Sequence, residues 1–431
     1  MGSPQNRPDE IPPGCPVAEN AIVRLFSDRE SRSSLYEGLA TTRSNCPVHH
    51  SVALDQWVLT RYGDVRQVLR DSELAVDFAS QMDRRRRDWR KHPSFSLTEN
   101  IMLSVDGAEH RRLRKVGSSV VNGRLVKTVA PLIRVTVERV VAEFVSEGGG
   151  DFVTKVAFPI TAEVISDIMG LPHEDREWYR RAIAEHVVAF DPGVSEEDLD
   201  RADAAALGIR RYWQGLVERR RSDPRDDLLT QLLELTTEEG EGLRSEEVAA
   251  FCEFLFSAGF ETTVHTLSLG MLAFVENPDQ WKLLRARPEL LETTVEEVLR
   301  YTSTIVGQAR FTTDVAQIGG AEVPASELLF VSLAAANRDP DVFANPDRFD
   351  ITRTGSAHLT FGHGRHTCLG APLARAEIGI VFDTMAELLS TLTLGPGGAL
   401  LEKRLAPRAL ASLDLDIKPE HRQGRVPADA G

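Results

Sequence analysis

The sequence predicts a mainly α-helical protein with small β-sheets, an α+β fold. Apolar residues recur three and four positions apart from residue 106 to about residue 239, as in LIRVTVERVVAEFV (132–145), which is the spacing of amphipathic helices. A second helical block extends from residue 244 to about residue 301, and short β-like segments lie near both ends. We find no internal repeat. Length alone would suggest two or three domains, but a single architecture that surrounds a bound group can reach this size. We expect one domain over residues 21–420, with a flexible arm (1–20) and a flexible tail (421–431).

Two local signals define elements inside this outline. The segment WVLTRYGDVRQVLRD (57–71) predicts a short strand that continues into a helix. The segment DPGV (191–194) predicts a break between two helices, because proline and glycine interrupt helical backbone.

Composition excludes several classes of function. The 431 residues include 50 Lys and Arg against 65 Asp and Glu, and a net charge of −15 argues against a general nucleic-acid binder. No run of 18 apolar residues occurs, and the start of the chain is polar and proline-rich, so we expect no membrane span and no secretory signal. Four scattered cysteines suit a reducing cytosol. We expect a cytoplasmic monomer.

The most informative segment is FGHGRHTCLG (361–370). It holds Cys368 in a glycine-rich loop that a helical run follows at once, which places the sulfur near a helix N-terminus. The helix dipole and free N–H groups there stabilise a thiolate. A thiolate on a tight loop suits the axial position of a haem iron. The alternative is an ordinary buried thiol that packs as a small hydrophobe.

A second unusual segment is AGFETT (258–263), inside the apolar stretch FCEFLFSAGFETTVHTLSLGML. An acidic residue within such a helix is expensive to bury without a partner. Ala258 and Gly259 would leave room for a bulky planar ligand, and Thr262 could carry protons beside bound dioxygen. The alternative is a helix kink in which a threonine bonds its own i−4 carbonyl.

These segments together resemble the cytochrome P-450 family. Phe361, Gly364, His366, Cys368 and Gly370 fill the fixed positions of its haem-binding signature, F-x-x-G-x-[HR]-x-C-x-G, and 258–262 resembles A-G-x-[DE]-T. The resemblance implies haem b between the long central helix and the helix after the cysteine loop, with O2 as co-substrate. It also implies that the Cys368 thiolate binds the iron and that Glu261 and Thr262 form the acid–alcohol pair that relays protons.

The resemblance assigns further residues to haem binding and to folding. VEEVLRY (295–301) resembles the family's E-x-x-R, so Glu297 and Arg300 form a structural lock with a later arginine, for which Arg348 is the prediction and Arg353 a competitor. DGAEHRRLRK (106–115) resembles D-P-P-x-H-x-x-x-R, although Gly107 and Ala108 replace the prolines. The predicted partners of the haem propionates are His110, Arg114, Arg310 and His366.

By the same resemblance the substrate pocket draws on apolar side chains, and the substrate is a small organic molecule of secondary metabolism. The predicted pocket residues are Ile101, Met102, Ile305, Val306 and Leu410. No flavin or iron–sulfur module is visible, so a separate ferredoxin is expected to deliver electrons. Its predicted docking surface consists of Arg111, Arg112, Lys115 and Arg365.

The function predicted from the sequence is therefore that of a haem–thiolate monooxygenase. Two alternatives stay open: a P-450 oxidase that closes rings or couples aromatics through radicals without inserting oxygen, and a haem sensor without turnover. The basic segment 84–91 is interpreted as a solvated face, with contact to an acidic substrate or carrier protein as the second hypothesis.

Overall fold

The structure is a computed structural model, and it describes residues 15–419 apart from 29, 192, 237–241, 356 and 406. Helices dominate and the sheets are small, which confirms the predicted fold class. The helices are α1 Pro16–Ser27, α2 Leu35–Asn45, α3 Tyr62–Arg70, α4 Phe78–Arg85, α5 Pro93–Ser96, α6 Gly107–Val120, α7 Gly123–Ser146, α8 Phe158–Met169, α9 Arg176–His186, α10 Glu196–Ser222, α11 Leu228–Glu234, α12 Val248–Glu276, α13 Pro278–Ala286, α14 Leu291–Thr302, α15 Leu333–Ala336 and α16 Ala371–Leu388. The strands are β1 Val48–Ser51, β2 Gln56–Leu59, β3 Leu74–Ala75, β4 Gly149–Asp151, β5 Gly307–Thr312, β6 Ala316–Ile318, β7 Ala321–Val323, β8 Leu328–Ser332, β9 Leu389–Leu401 and β10 Leu410–Pro419.

The largest sheet joins distant parts of the chain in the order β1-β2-β8-β5-β3. Strands β2 and β8 pair in parallel, and every residue of both is buried, because central strands covered on both faces are apolar throughout. A three-stranded sheet has the order β4-β10-β9, and β6 and β7 form a hairpin. The large sheet fixes β5, which carries Arg310.

Helix α12 is the centre of the hydrophobic core. It is apolar on nearly all sides, as expected of a helix that packs against neighbours around its whole circumference, and it contacts α8, α10, α14 and α16. A side chain at Gly270 would place its Cβ 2.7 Å from Val298 of α14 and 2.9 Å from Phe382 of α16. This glycine therefore lets three helices approach closely. No described helix combines the length and apolar content needed to cross a bilayer.

The predicted structural lock is present, with one correction. Both carboxylate oxygens of Glu297 accept hydrogen bonds from the buried guanidinium of Arg300, at 2.7 and 2.8 Å. The third member is Arg353, whose Nε donates to Glu297 at 3.1 Å. Arg348 was the wrong choice, because only its backbone carbonyl takes part, as an acceptor for Arg300. Arg300 also donates to the carbonyl of Asn337, so the lock ties α14 to the segment that leads towards the cysteine loop.

The N-terminal region corrects a second prediction. The arm was expected to reach residue 20, yet α1 begins at Pro16, and Glu19 within it accepts a hydrogen bond from His49 at 2.7 Å. Residues 1–14 of the predicted arm and the predicted tail (421–431) lie outside the described residues. The strand and helix predicted over 57–71 are confirmed as β2 and α3.

Candidate active site

The cysteine loop is held by its own backbone. Gly362 and Gly364 have φ values of +71° and +77°, which side-chain-bearing residues rarely adopt. A Cβ on Gly364 would also lie 2.5 Å from the carbonyl oxygen of Leu69. The N–H of Cys368 donates to the Phe361 carbonyl at 2.8 Å and closes the loop. Gly362 and Gly364 are therefore required by local geometry.

The Cys368 side chain lies deep in the protein but has exposed surface, as expected of a group on the wall of an internal cavity. Burial raises the pKa of its thiol, whereas the N–H groups of Gly370 and Ala371 and the charge of Arg114 act in the opposite direction. Those N–H groups are the free donors at the start of α16. Arg114 is fixed nearby, because it donates to the carbonyl of Thr367 at 2.6 Å. The site therefore favours a thiolate once a cation binds the sulfur.

Helix α12 contributes the opposite wall. Ala258 is exposed although its helix is otherwise largely buried, so it also faces an internal space. Gly259 does not face this space, because a Cβ there would lie 3.2 Å from Ile165 of α8. This corrects the prediction that Gly259 leaves room for the ligand. The glycine allows two helices to pack, and only the alanine leaves room for a ligand.

The four predicted propionate partners come from α6, β5 and the cysteine loop. The rings of His110 and His366 lie 4.1 Å apart, and His366 Nε2 is 3.0 Å from Asp106 Oδ1. Asp106, which the sequence analysis did not assign, also interacts electrostatically with Arg310. Burial opposes ionisation of Asp106, but hydrogen bonds from His366 and a backbone N–H hold its pKa well below the usual value. Asp106 thus organises the cluster as a carboxylate.

Electrostatics in this cluster suit an anionic ligand. Burial, together with the charge of His366, lowers the pKa of His110 to about 4, so at neutral pH this ring is an uncharged hydrogen-bonding group. Burial lowers the pKa of Arg310 to about 10, and its guanidinium therefore stays charged. Within the described residues Arg310 donates only to its neighbours Ala309 and Gln308. A buried cation with so few acceptors fits the carboxylates of haem.

The predicted acid and alcohol take different partners. Thr262 Oγ1 donates to the Ala258 carbonyl at 3.0 Å, the i−4 bond considered as the alternative. Glu261 accepts from Arg404 Nη1 at 2.6 Å, and Arg404 Nη2 lies 2.8 Å from His265 Nε2. Burial alone would raise the pKa of Glu261, but His265 and Arg404 lower it. Sequence reasoning missed Arg404, which is 143 residues from Glu261 and lies in no motif.

The predicted substrate residues separate into two groups. Ile101 and Ile305 keep partial exposure. Val306 and Leu410 are each 1% exposed within hydrophobic clusters, and Met102 is 5% exposed. The structure therefore does not place Val306 or Leu410 on a cavity wall, because a wall residue would have open surface as Ala258 does.

The predicted docking surface also needs correction. Arg112 is bound in ion pairs with Glu109 and Glu247, and these hydrogen bonds raise its pKa. Arg365 donates to Asp106 at 3.0 Å and to two backbone carbonyls, so its charge supports the cysteine loop. Arg111 is exposed on α6, as is Lys115 one turn later.

Comparisons with known proteins agree with this geometry. The cytochrome P450 family profile matches residues 183–395. The vitamin D(3) 25-hydroxylase of Pseudonocardia autotrophica is 36% identical over 389 residues, which cover 88% of this chain and 93% of the relative. A polyketide biosynthesis cytochrome P450 of Bacillus subtilis is 29% identical over 90% of this chain and 97% of its own length. The crystal structure of P450BioI in complex with an acyl carrier protein ligated to hexadec-9Z-enoic acid superposes with a TM-score of 0.83 at 31% identity, covering 90% of this chain and all of that one. The chain belongs to the cytochrome P450 family and is an oxidoreductase of the P450 monooxygenase type.

Proposed function

We propose that the described residues, α1 included, form a single haem–thiolate monooxygenase domain that oxidises an apolar molecule of secondary metabolism. The observation that carries the proposal is the position of Cys368, at the N-terminus of α16 and open to the protein interior. The family uses a haem–thiolate cofactor and O2. For this chain we propose haem b, with the thiolate of Cys368 as the protein ligand of the iron.

The residues present fit haem b in charge and in the space that they leave. His110, Arg114, Arg310 and His366 would hold the propionates, and Ala258 would leave space for the cofactor and its ligands. Haem supplies the oxygen chemistry when bound, and thiolate ligation favours O–O cleavage. The protein positions the reactants and excludes side reactions.

Proton delivery is the proposed role of Thr262 and Glu261. A hydroxyl that donates to the Ala258 carbonyl keeps two lone pairs, so it can accept a hydrogen bond from a water and hold that water in place as the proton donor. Glu261 is held ionised by Arg404, and the relay therefore requires that ion pair to open or to exchange with water. Arg404 is a positioning residue in this proposal.

An apolar organic molecule is the proposed substrate. Ile101 and Ile305 offer apolar surface, and the relatives described above are named for vitamin D(3), polyketide biosynthesis and a fatty acyl carrier protein. The compounds in these names are built largely from apolar carbon skeletons, which is why we propose an apolar substrate.

Electrons are proposed to come from a separate acidic ferredoxin and its reductase. Arg111 is the proposed first contact, because it is exposed on the helix that carries His110 and Arg114. Electrostatic complementarity of this kind mainly raises the association rate.

The proposal is tested by product analysis under 18O2. A compound library is first screened for ligands that shift the haem spin state, and each hit is then incubated with NADH, ferredoxin and reductase. We expect one atom of 18O in the product. Products that lack 18O would contradict monooxygenation and favour the ring-closing alternative, and spin-shifting ligands that are never converted would favour the sensor.

A further inference from the structure

Arg404 lies between two carboxylates. It belongs to the turn that joins β9 to β10, and its Nη1 donates to Glu261 on α12 at 2.6 Å. Its Nε forms an ion pair with Glu402 at 2.6 Å. The third contact is that of Nη2, which lies 2.8 Å from His265 Nε2, so this ring nitrogen is the acceptor. One guanidinium therefore connects the acid of the proposed relay to a second acid.

The second acid reaches solvent. A recess of about 210 Å³ is lined by residues that include Ser33, Leu400, Glu402, Lys403, Arg404 and Arg408. The side chain of Lys403 is 60% exposed and that of Glu402 is 33% exposed, so the recess opens at the protein surface. Glu261 and Arg404 are each 16% exposed. Exposure therefore decreases from Glu402 to Glu261, which precedes Thr262 at the active-site wall.

The backbone around Arg404 is anchored. The N–H of Glu402 donates to the Ala409 carbonyl at 3.0 Å, which closes the turn between the two strands. The buried guanidinium of Arg32 donates to the carbonyl of Lys403. A change of partner at Arg404 is therefore a rotation of its side chain, and Glu402 is already in contact to receive it.

A different approach to Glu261 leads into the protein. His186 of α9 interacts electrostatically with Glu261, but this ring is buried and its Nε2 lies 3.4 Å from the Ser94 carbonyl. The approach from Glu402, by contrast, begins at a carboxylate that is partly exposed. A carboxylate in contact with solvent exchanges protons with it readily. The recess is therefore the better source of protons.

We propose that protons for oxygen reduction enter through this recess and reach Glu261 when Arg404 transfers from Glu261 to Glu402. The inference rests on the proposed function, because it supplies the relay of Glu261 and Thr262. Monooxygenation reduces one oxygen atom to water and therefore consumes protons. With Arg404 on Glu402, the freed carboxylate of Glu261 accepts a proton from water and passes it to the water that Thr262 holds. Glu402 is thus a positioning residue, since it takes the cation that otherwise keeps Glu261 ionised.

A crystal structure of haem-loaded Glu261→Gln tests the transfer of Arg404 without turnover. Removing the charge at residue 261 should move the guanidinium onto Glu402 with two parallel hydrogen bonds, the geometry that an arginine and a carboxylate favour. The wild type in the same crystal form is the control and should keep Arg404 on Glu261. A guanidinium that stays beside residue 261, or that leaves both positions for bulk solvent, would overturn the inference.

Turnover tests the role of Glu402. With NADH and an excess of ferredoxin and reductase, Glu402→Gln should release about two- to fivefold more hydrogen peroxide per NADH than the wild type, the range for loss of one partly exposed ion pair. The ratio of rates in H2O and D2O should rise, because proton entry is slower, and the substrate-induced spin shift should not change. Glu30→Gln is the matched control, since this exposed carboxylate at the rim of the recess pairs with Lys403.

A double variant shows whether Glu402 acts through Arg404. Adding Glu402→Gln to Arg404→Gln should not raise the peroxide yield further, because the side chain that Glu402 holds is gone. Equal peroxide yields and isotope effects in Glu402→Gln and the wild type, or an additive loss in the double variant, would overturn the inference. Failure of the proposed function is distinguishable, because it would appear as missing 18O product while Arg404 still moved in the Glu261→Gln crystal.

Discussion

The two walls of the active site are built by different means. On the cysteine side, the backbone of the loop is closed locally, because the N–H of Cys368 donates to the Phe361 carbonyl and Gly362 and Gly364 adopt the positive φ angles that glycine permits. Side chains of distant segments, such as Arg114, then hold the finished loop. On the α12 side, the contacts span the chain, as between Glu261 and Arg404. The first wall is a rigid template for a cofactor, and the second carries an ion pair between distant segments.

This difference explains what the sequence could and could not predict. His110, Arg114, His366 and the cysteine loop lie in motifs, so their residue types alone indicated the site. Arg404 and Asp106 act through contacts that only the tertiary structure creates. Gly259 was misassigned because a helical glycine can serve either a ligand or a neighbouring helix, and the sequence does not say which side of α12 meets α8.

The same limit applies to charged residues. Arg348 and Arg353 are close in sequence, and the path of the chain after Asn345 decides which guanidinium reaches Glu297. Arg112 was expected to be a free surface cation, but Glu247 from a distant segment pairs with it. Ion pairs between remote segments leave no periodic signal in a sequence.

If the cysteine side is the rigid template, breaking its supporting lock should have the largest effect. Glu297→Ala leaves the buried guanidinium of Arg300 without its carboxylate, and removing one partner of a buried pair costs about 3–5 kcal/mol. We expect the urea midpoint of unfolding to fall and haem to be lost more readily. The control is Glu292→Ala, an exposed position on the same helix, which should change stability by less than about 0.5 kcal/mol. Equal midpoints for both variants would refute the lock.

A smaller effect on the cysteine side is a pH dependence of the folding stability. Burial raises the pKa of Glu377 on α16 to about 7, above the ordinary value of 4.5. Between these values the unfolded chain loses this proton and the folded protein keeps it, so this group's contribution to stability falls as the pH rises, by about 3 kcal/mol in total. Glu377→Gln should therefore be more stable than the wild type at pH 8 by up to that amount and equal to it near pH 4.5. The exposed Glu387→Gln is the control. A stability difference that is independent of pH would contradict the account.

Changes on the α12 side should alter chemistry without altering the fold. Thr262→Ala should keep haem and substrate binding but release hydrogen peroxide, because protons are no longer delivered in step with electrons. We expect at least about tenfold less product per NADH consumed. Thr263→Ala is the matched control, since this neighbouring hydroxyl is buried and bonds the Gly259 carbonyl. Unchanged coupling in Thr262→Ala would remove the residue from the relay.

The smallest effect is expected at the surface on the cysteine side. Arg111→Glu should slow reduction by an acidic ferredoxin about two- to tenfold at low salt, with the difference shrinking as ionic strength rises, and should leave the substrate-induced spin shift intact. Arg112→Glu is unsuitable, because it would break the ion pairs with Glu109 and Glu247. Arg87→Glu, an exposed cation on the segment after α4, should be reduced at the wild-type rate. Stopped-flow rates that are equal for all three proteins at low salt would place the docking surface elsewhere.

The central claim is that Cys368 is the thiolate ligand of a haem iron, and the spectrum of the reduced protein with carbon monoxide tests it most directly. The account predicts the red-shifted haem band that marks thiolate ligation in this family, at full intensity in the wild type and absent in Cys368→Ser. Cys252→Ser, which changes a buried cysteine on α12, should keep the band. A full thiolate band in Cys368→Ser would assign the ligand to another residue and contradict the account.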